Sequence, residues 1–209
     1  MSAYLPPSVP FGSWDDALLA PVAEVNDQML EVLKSMAGAS ALAQPRTPRL
    51  VDLLRESWRR LDAKAQRRLS ACPYLLLVAD FAQTARWQRL LSAGVMDAPA
   101  RGGYFNGPAG VSLIRRMLLL AWHLSRSNRL MAAVTLGLTP AVAERIASTR
   151  LRDLEAIAEL APAWIVPRWE QQTVVWKQLL AAACSTHPLA LRQAQLRGLQ
   201  LLAREHTRT

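Results

Sequence analysis

The sequence predicts an all-α fold, an irregular bundle of about nine helices. Three observations carry that expectation. Leu and Ala dominate the apolar residues while β-branched residues are sparse, a composition that favours helix. Apolar residues return every three to four positions in one segment after another. Thr and Asp caps, with Gly and Pro stops, punctuate those segments at helical lengths.

Residues 1–13 hold three prolines and a glycine and should form an extended, flexible N-terminus. Asp15 and Asp16 precede Leu18, Leu19, Val22, Val25, Met29, Leu30 and Leu33, a helical series with Pro21 in its first turn and an end near Gly38. Residues 38–46 (GASALAQPR) read as a linker. Thr47-Pro48 supplies an N-cap and a proline at the first helical position, ahead of a face made by Leu50, Leu53, Leu54, Trp58 and Leu61. Asp62 caps a short basic helix, AKAQRRLSA. Pro73 opens the apolar run YLLLVADFAQ, whose length and flanks favour a buried helix, with a strand as the alternative. Thr84 caps ARWQRLLSAG. Residues 94–110, with five glycines and two prolines, make a long loop. The Gly102-Gly103 pair lacks the GxxxxGK(S/T) spacing of a phosphate cradle.

A long helix from about 109 to 135 should bury Leu113, Met117, Leu120, Leu124 and Leu130 and stop at Leu136-Gly137. Thr139-Pro140 repeats the cap signal, and short helices follow through AVAERIAS and LRDLEAIAEL. Pro162 and Pro167 bracket a turn containing Trp164, Arg168 and Trp169. VVWKQLLAAAC and the amphipathic PLALRQAQLRGLQLLAREH close the chain. Residues 14–93 are thus expected to be an N-terminal helical layer and 111–209 a C-terminal helical core of the same compact unit.

The net charge of +9 is uneven. Residues 1–100 carry 11 Lys and Arg against 10 Asp and Glu, whereas residues 101–209 carry 14 against 6. A basic half can meet an acidic protein surface, anionic lipid or nucleic acid; it can equally be a solvated Arg-rich surface, since Arg outnumbers Lys 22 to 3. Cys72 and Cys184 are the only cysteines, and without a CxxC pair or a Cys/His cluster neither a metal nor a cofactor is expected. Whether the two thiols are free is not readable from their spacing. The N-terminus has no secretory pattern, and the apolar stretch at 111–124 is interrupted by Arg115 and Arg116, so a cytoplasmic protein with no membrane span is expected.

No pattern of residues points to catalysis. His123, His187 and His206 have no Ser, Cys or Asp at nucleophile-triad spacing, and Glu155 and Glu159 are an i, i+4 pair of like charges on a short helix. The helix pair 139–161 has the outline of a helix-turn-helix, with Arg150 and Arg152 as candidate nucleic-acid contacts; the competing reading is a packed hairpin. Trp164, Arg168, Trp169 and Trp176 are candidate partner-binding residues, because Trp and Arg dominate binding hot spots, although Trp also closes cores. The basic face of the last helix, around Arg192 and Arg197, is the second candidate.

Two resemblances sharpen these expectations. Leu118-Leu119-Leu120-Ala121, Leu136-Gly137-Leu138, Ala143, Ala147, Leu151 and Ala158-Glu159 resemble the core of the flagellar master-regulator subunit FlhD, over less than a third of the chain. Over the whole length, the chain resembles the Hrp B4 proteins of plant-pathogen type III secretion systems, within the broader SctK group. DDALLAPVAEV, LLLAWHLSRSNRL, LGLTPAVAERIA, LRDLEAIAE and PRWEQQ with the following W-x-x-LL carry that likeness. It implies a non-enzymatic cytosolic adaptor, peripheral to the inner membrane through protein partners, that links the inner-membrane ring to the sorting platform. The FlhD likeness implies instead a DNA-binding transcriptional regulator.

Overall fold

The computed structural model describes residues 16–39, 47–93, 103–105, 107–161 and 164–206. The expected flexible segment 1–13, most of the linker at 38–46, most of the loop at 94–110, and Pro162 lie outside the described residues. Among the described residues helix accounts for 75% and strand for 2%, so the fold is all-α.

Eleven α-helices are present among the described residues: α1 (Asp16–Gly38), α2 (Arg49–Leu53), α3 (Arg55–Arg59), α4 (Ala63–Ser70), α5 (Thr84–Ala93), α6 (Gly107–Ser127), α7 (Arg129–Met131), α8 (Pro140–Ser148), α9 (Leu151–Leu160), α10 (Thr173–Cys184) and α11 (Pro188–His206). Their number exceeds the expected nine because two expected helices are broken. Leu54, at φ −113° and ψ 21°, separates α2 from α3. Asn128, at φ −153°, ends α6, and its side chain accepts from the Met131 N–H to start α7, which continues as a π-helical turn over Ala132–Leu136. That break turns Leu130 outward, 74% exposed, against the expectation that it is buried. Leu53, on the short α2, is likewise exposed.

The local punctuation follows chemistry. Asp62 accepts from the Ala65 N–H at 2.7 Å and Thr139 from the Val142 N–H, each satisfying an orphan donor at a helix start. Gly137 sits at φ +77°, the left-handed stop that a side chain disfavours. Three local expectations differ. The residue at the N-cap of α2 is Pro48, not Thr47; Thr84 is the first residue of α5 rather than its cap; and Pro21 falls inside α1 beyond its first turn.

The run YLLLVADFAQ is not a helix. It is irregular, with bends at Tyr74 and Leu76 and a turn at Phe81 and Ala82, and only Leu77–Val78 form a strand, β1, antiparallel to β2 (Val166–Pro167), in the register Leu77↔Pro167 and Val78↔Val166. Tyr74 to Leu77 and Ala79 are buried, so their backbone groups need distant partners. They have them. Leu75 N–H donates to the Thr135 carbonyl at 3.1 Å, Leu76 N–H to Asn26 Oδ1 at 2.8 Å, and Arg168 N–H to the Leu76 carbonyl at 2.8 Å.

Helix α1 packs on α2, α3, α4 and α6, and α6 packs on α8 and α9 on its other side. Helix α10 lies against α2, α3 and α4 and is covered by α11. Buried residues from Val22 in α1 to Leu202 in α11 belong to one hydrophobic cluster. Among the described residues no single helix is long and apolar enough to cross a membrane.

Candidate protein-docking site

The turn around residue 168, expected to face a partner, is buried. Trp164, Arg168, Trp169 and Trp176 are exposed by 1%, 3%, 7% and 0%. This corrects the expectation of an open Trp/Arg surface there, and the reason is the β1–β2 pairing. It draws the turn into the core, where each polar group meets a fixed partner. Arg168 Nε donates to the Leu75 carbonyl at 2.7 Å and Nη2 to the Leu136 carbonyl at 3.3 Å, while Nη1 lies 3.5 Å from Glu205 Oε2. The Trp176 indole N–H donates to the Arg168 carbonyl at 2.7 Å, and the Trp169 indole N–H to Glu205 Oε1 at 2.9 Å. Burial lowers the Arg168 pKa to about 10, against the opposing pull of Glu205 and Tyr74, so the guanidinium remains charged at neutral pH.

The tryptophans are packed in pairs. Trp58 and Trp176 have ring centroids 5.5 Å apart. Trp164 meets Trp87 edge-on at 5.3 Å and carries the Arg86 guanidinium over its ring at 4.4 Å. Sequence reasoning named Trp164, Arg168, Trp169 and Trp176 together; the structure gives the three tryptophans separate ring partners, Trp87, Tyr74 and Trp58, and adds Glu205, which lies 37 positions from Arg168.

The other candidates are exposed. Arg150 and Arg152 stand at the start of α9, with Arg152 Nε 3.6 Å from Asp153 Oδ1. Arg192 and Arg197 are exposed on α11, and the structure adds neighbours that sequence reasoning did not name. A groove of about 290 Å³ runs between α10 and α11, lined by Val175 and Gln178 on one side and Ala194, Arg197, Gln200, Leu201 and Arg204 on the other. Arg197 Nη1 donates to Gln178 Oε1 across it at 3.1 Å. Leu189 and Leu196, seven residues apart on the outward side of α11, are 50% and 58% exposed, and Val174 of α10 is 65% exposed. The seven-residue spacing of Leu189 and Leu196 was available in the sequence.

The inner side of α11 explains why this face points outward. Leu191, Ala194 and Leu202 are buried, Gly198 rests on the Tyr74 ring, and Glu205 is bonded to Trp169. Among the described residues no group of three or more His, Cys, Asp and Glu side chains is placed to hold a metal ion. Comparison with protein-family models, curated proteins and solved structures gives no match.

Proposed function

We propose that this chain is a non-enzymatic adaptor of a bacterial type III secretion system, cytosolic and held at the inner membrane through protein partners. In that role it would join the inner-membrane ring to the sorting platform. The observation that carries a binding role is the outward face of α11. Leu189, Leu196, Arg192 and Arg197 are exposed on that helix, and a groove of mixed polar and apolar lining lies between it and α10. The secretion system itself is proposed from the whole-length likeness to the Hrp B4 and SctK proteins. The segments carrying that likeness fall in α1, α6 and the start of α7, the Thr139-capped α8, α9 and the β2–α10 corner.

Deletion of the gene in its source bacterium, followed by assay of effector export, tests the proposal. Export should be lost and return with a plasmid copy, and the tagged protein should cross-link to ring and platform subunits. Normal export in the deletion strain would refute it. So would a DNA footprint that persists at physiological salt and disappears in Arg150→Ala with Arg152→Ala, which would transfer the assignment to a regulator.

A further inference from the structure

We infer that the surface around Trp122 docks an acidic segment of a partner protein, with partner carboxylates on the Arg126 and Arg150 guanidiniums and a partner aliphatic side chain on Leu119. The inference deepens the adaptor reading by adding a second surface to that of α11, and it rests on that reading for the existence of a partner.

Burial singles the position out. Trp58, Trp87, Trp164, Trp169 and Trp176 are buried, whereas Trp122 packs against the core with part of its side chain left at the surface. Arg115, Leu119, Trp122 and Arg126 fall at i, i+4, i+7 and i+11 and form one stripe along α6. Leu119 is 38% exposed, and Arg126 is exposed beyond it. Two contacts fix the centre of the stripe. The Trp122 indole N–H donates to the Thr149 carbonyl at 3.1 Å, which ties it to the turn between α8 and α9 and brings the backbone of Arg150, the next residue, to its edge. The Arg126 guanidinium lies over the Trp122 ring, 4.6 Å from its centroid. A guanidinium stacked in this way keeps its N–H edge for a two-pronged bond to a carboxylate and has less freedom to lose on binding. Trp and Arg are also the side chains that most often carry binding energy.

Charge then selects the occupant. Helix α6 contains no Asp or Glu. On α9, Glu159 is taken by Arg115 at 2.8 Å and Asp153 lies 3.6 Å from Arg152, which leaves Glu155 as the one acidic residue of that helix outside an ion pair. Among the described residues neither Arg126 nor Arg150 has a carboxylate at ion-pair distance, and both are exposed. The complement of such a surface is acidic.

Other occupants fit less well. Base stacking needs an open ring face, and Trp122 has the core on one side and a guanidinium over its ring. A lipid surface needs a broad apolar side, whereas this stripe interleaves Leu119 and Trp122 with Arg115 and Arg126. A second copy meeting the patch with its own would set arginine against arginine.

The test uses the full chain and a labelled peptide made of Asp, Glu and Leu, followed by fluorescence anisotropy. The peptide should bind at low salt and weaken as salt rises, and its counterpart with Lys for every acidic residue should bind at least about tenfold more weakly. Arg126→Glu combined with Arg150→Glu should reduce affinity by about tenfold or more. Arg59→Glu with Arg67→Glu, the same change in net charge on α3 and α4, should reduce it by less than about threefold. Arg126→Lys keeps the charge but loses the planar fork, and should cost about threefold or more. All four arginines are exposed, so helicity and melting temperature should stay near the parent values. Absence of peptide binding, equal losses in the two double variants, or full affinity in Arg126→Lys would overturn the inference. So would tighter binding of a single-stranded oligonucleotide or of phosphatidylglycerol vesicles, or a dimer that needs Arg126. The two proposals separate in cells. Lost export on deletion with normal export by Arg126→Glu/Arg150→Glu defeats the surface and leaves the adaptor. Peptide binding at the patch with normal export on deletion defeats the secretion assignment and leaves the surface.

Discussion

The Trp169 indole donates to the Glu205 carboxylate across 36 residues of sequence, fastening the last turn of α11 to the corner after β2. Trp169 itself sits at φ +54°, a left-handed conformation uncommon for a bulky residue. It is held there by this bond, by edge contact with the Tyr74 ring at 5.5 Å, and by the pairing of β2 with β1. The same bond engages the one carboxylate of α11, and so shapes the charge of the helix's outer side.

The guanidinium next to Trp169 should be a stability determinant. Arg168→Ala would leave the Leu75 and Leu136 carbonyls without their buried donor, and would take the cation from Glu205, whose own side chain is half exposed. Leaving buried carbonyls without their donor should lower the unfolding free energy by about 2–4 kcal/mol. Urea denaturation followed by circular dichroism measures this. A variant as stable as the parent would mean that the Arg168 side chain is open to solvent.

The burial of Arg168 shows which parts of the fold were legible and which were not. Helices α1, α4, α8 and α9, the Asp62 and Thr139 caps and the Gly137 stop are set by residues within a turn of one another, so periodicity and cap chemistry suffice. The β1–β2 pairing joins Leu77 to Pro167, and nothing near Leu77 distinguishes a buried strand from a buried helix. The burial of Arg168 was hidden for the same reason, because its acceptors at Leu75, Leu136 and Glu205 come from three distant segments. A lone Arg between apolar residues reads as exposed until those acceptors are known. Arg192 and Arg197, on a regular helix whose wheel can be drawn, were legible as exposed.

Asn26 should prove as important as any apolar residue of α1. Its Nδ2 donates to the Ser70 and Tyr74 carbonyls at 3.1 and 2.9 Å, and its Oδ1 accepts from the Leu76 N–H at 2.8 Å. The side chain is fully buried, so these backbone groups have no water to turn to. Asn26→Leu keeps the size and removes all three bonds; a loss of about 2–4 kcal/mol is expected. Amide exchange at Leu76 should accelerate selectively. Exchange at the parent rate would show that another acceptor serves that N–H.

Gly198→Ala sets two effects against each other. In a helix interior Ala is better than Gly by about 1 kcal/mol. A Cβ at 198, however, would overlap the Tyr74 ring and hydroxyl. Tyr74 is fully buried and held against Trp169, so the ring has no room to withdraw. Overpacking should win, with a net destabilisation of about 1–2 kcal/mol. Adding Tyr74→Phe should recover part of it. A stabilised Gly198→Ala protein would show that α11 can lift from Tyr74 without penalty.

Alkaline pH should weaken the fold through Cys72. Burial pushes this thiol from its ordinary 9.0 up to about 12, despite the Gln195 amide, which donates to the sulfur at 3.8 Å and pulls the other way. Burial raises the Tyr74 hydroxyl as well, above its ordinary 10.0. The sign follows from which form the folded state prefers. A group whose folded pKa is raised favours folding while it is protonated; that contribution is complete below the unfolded pKa and is lost as pH climbs toward the folded one. For Cys72 the window runs from pH 9.0 to about 12, with a slope of about 1.4 kcal/mol per pH unit once the unfolded thiol ionises. Guanidinium denaturation midpoints should therefore hold from neutral pH to about 9 and fall above it. Cys72→Ala should start from a lower midpoint and fall less steeply, because only the Tyr74 share remains. Thiol labelling provides a second measurement on the same residue. Cys184 is exposed and should react in the native protein, slowed by the upward shift that partial burial gives its thiol, whereas Cys72 should react only on unfolding. Two thiols labelled at equal rates at neutral pH, or parallel alkaline slopes for parent and Cys72→Ala, would contradict the buried, protonated thiol on which this prediction stands.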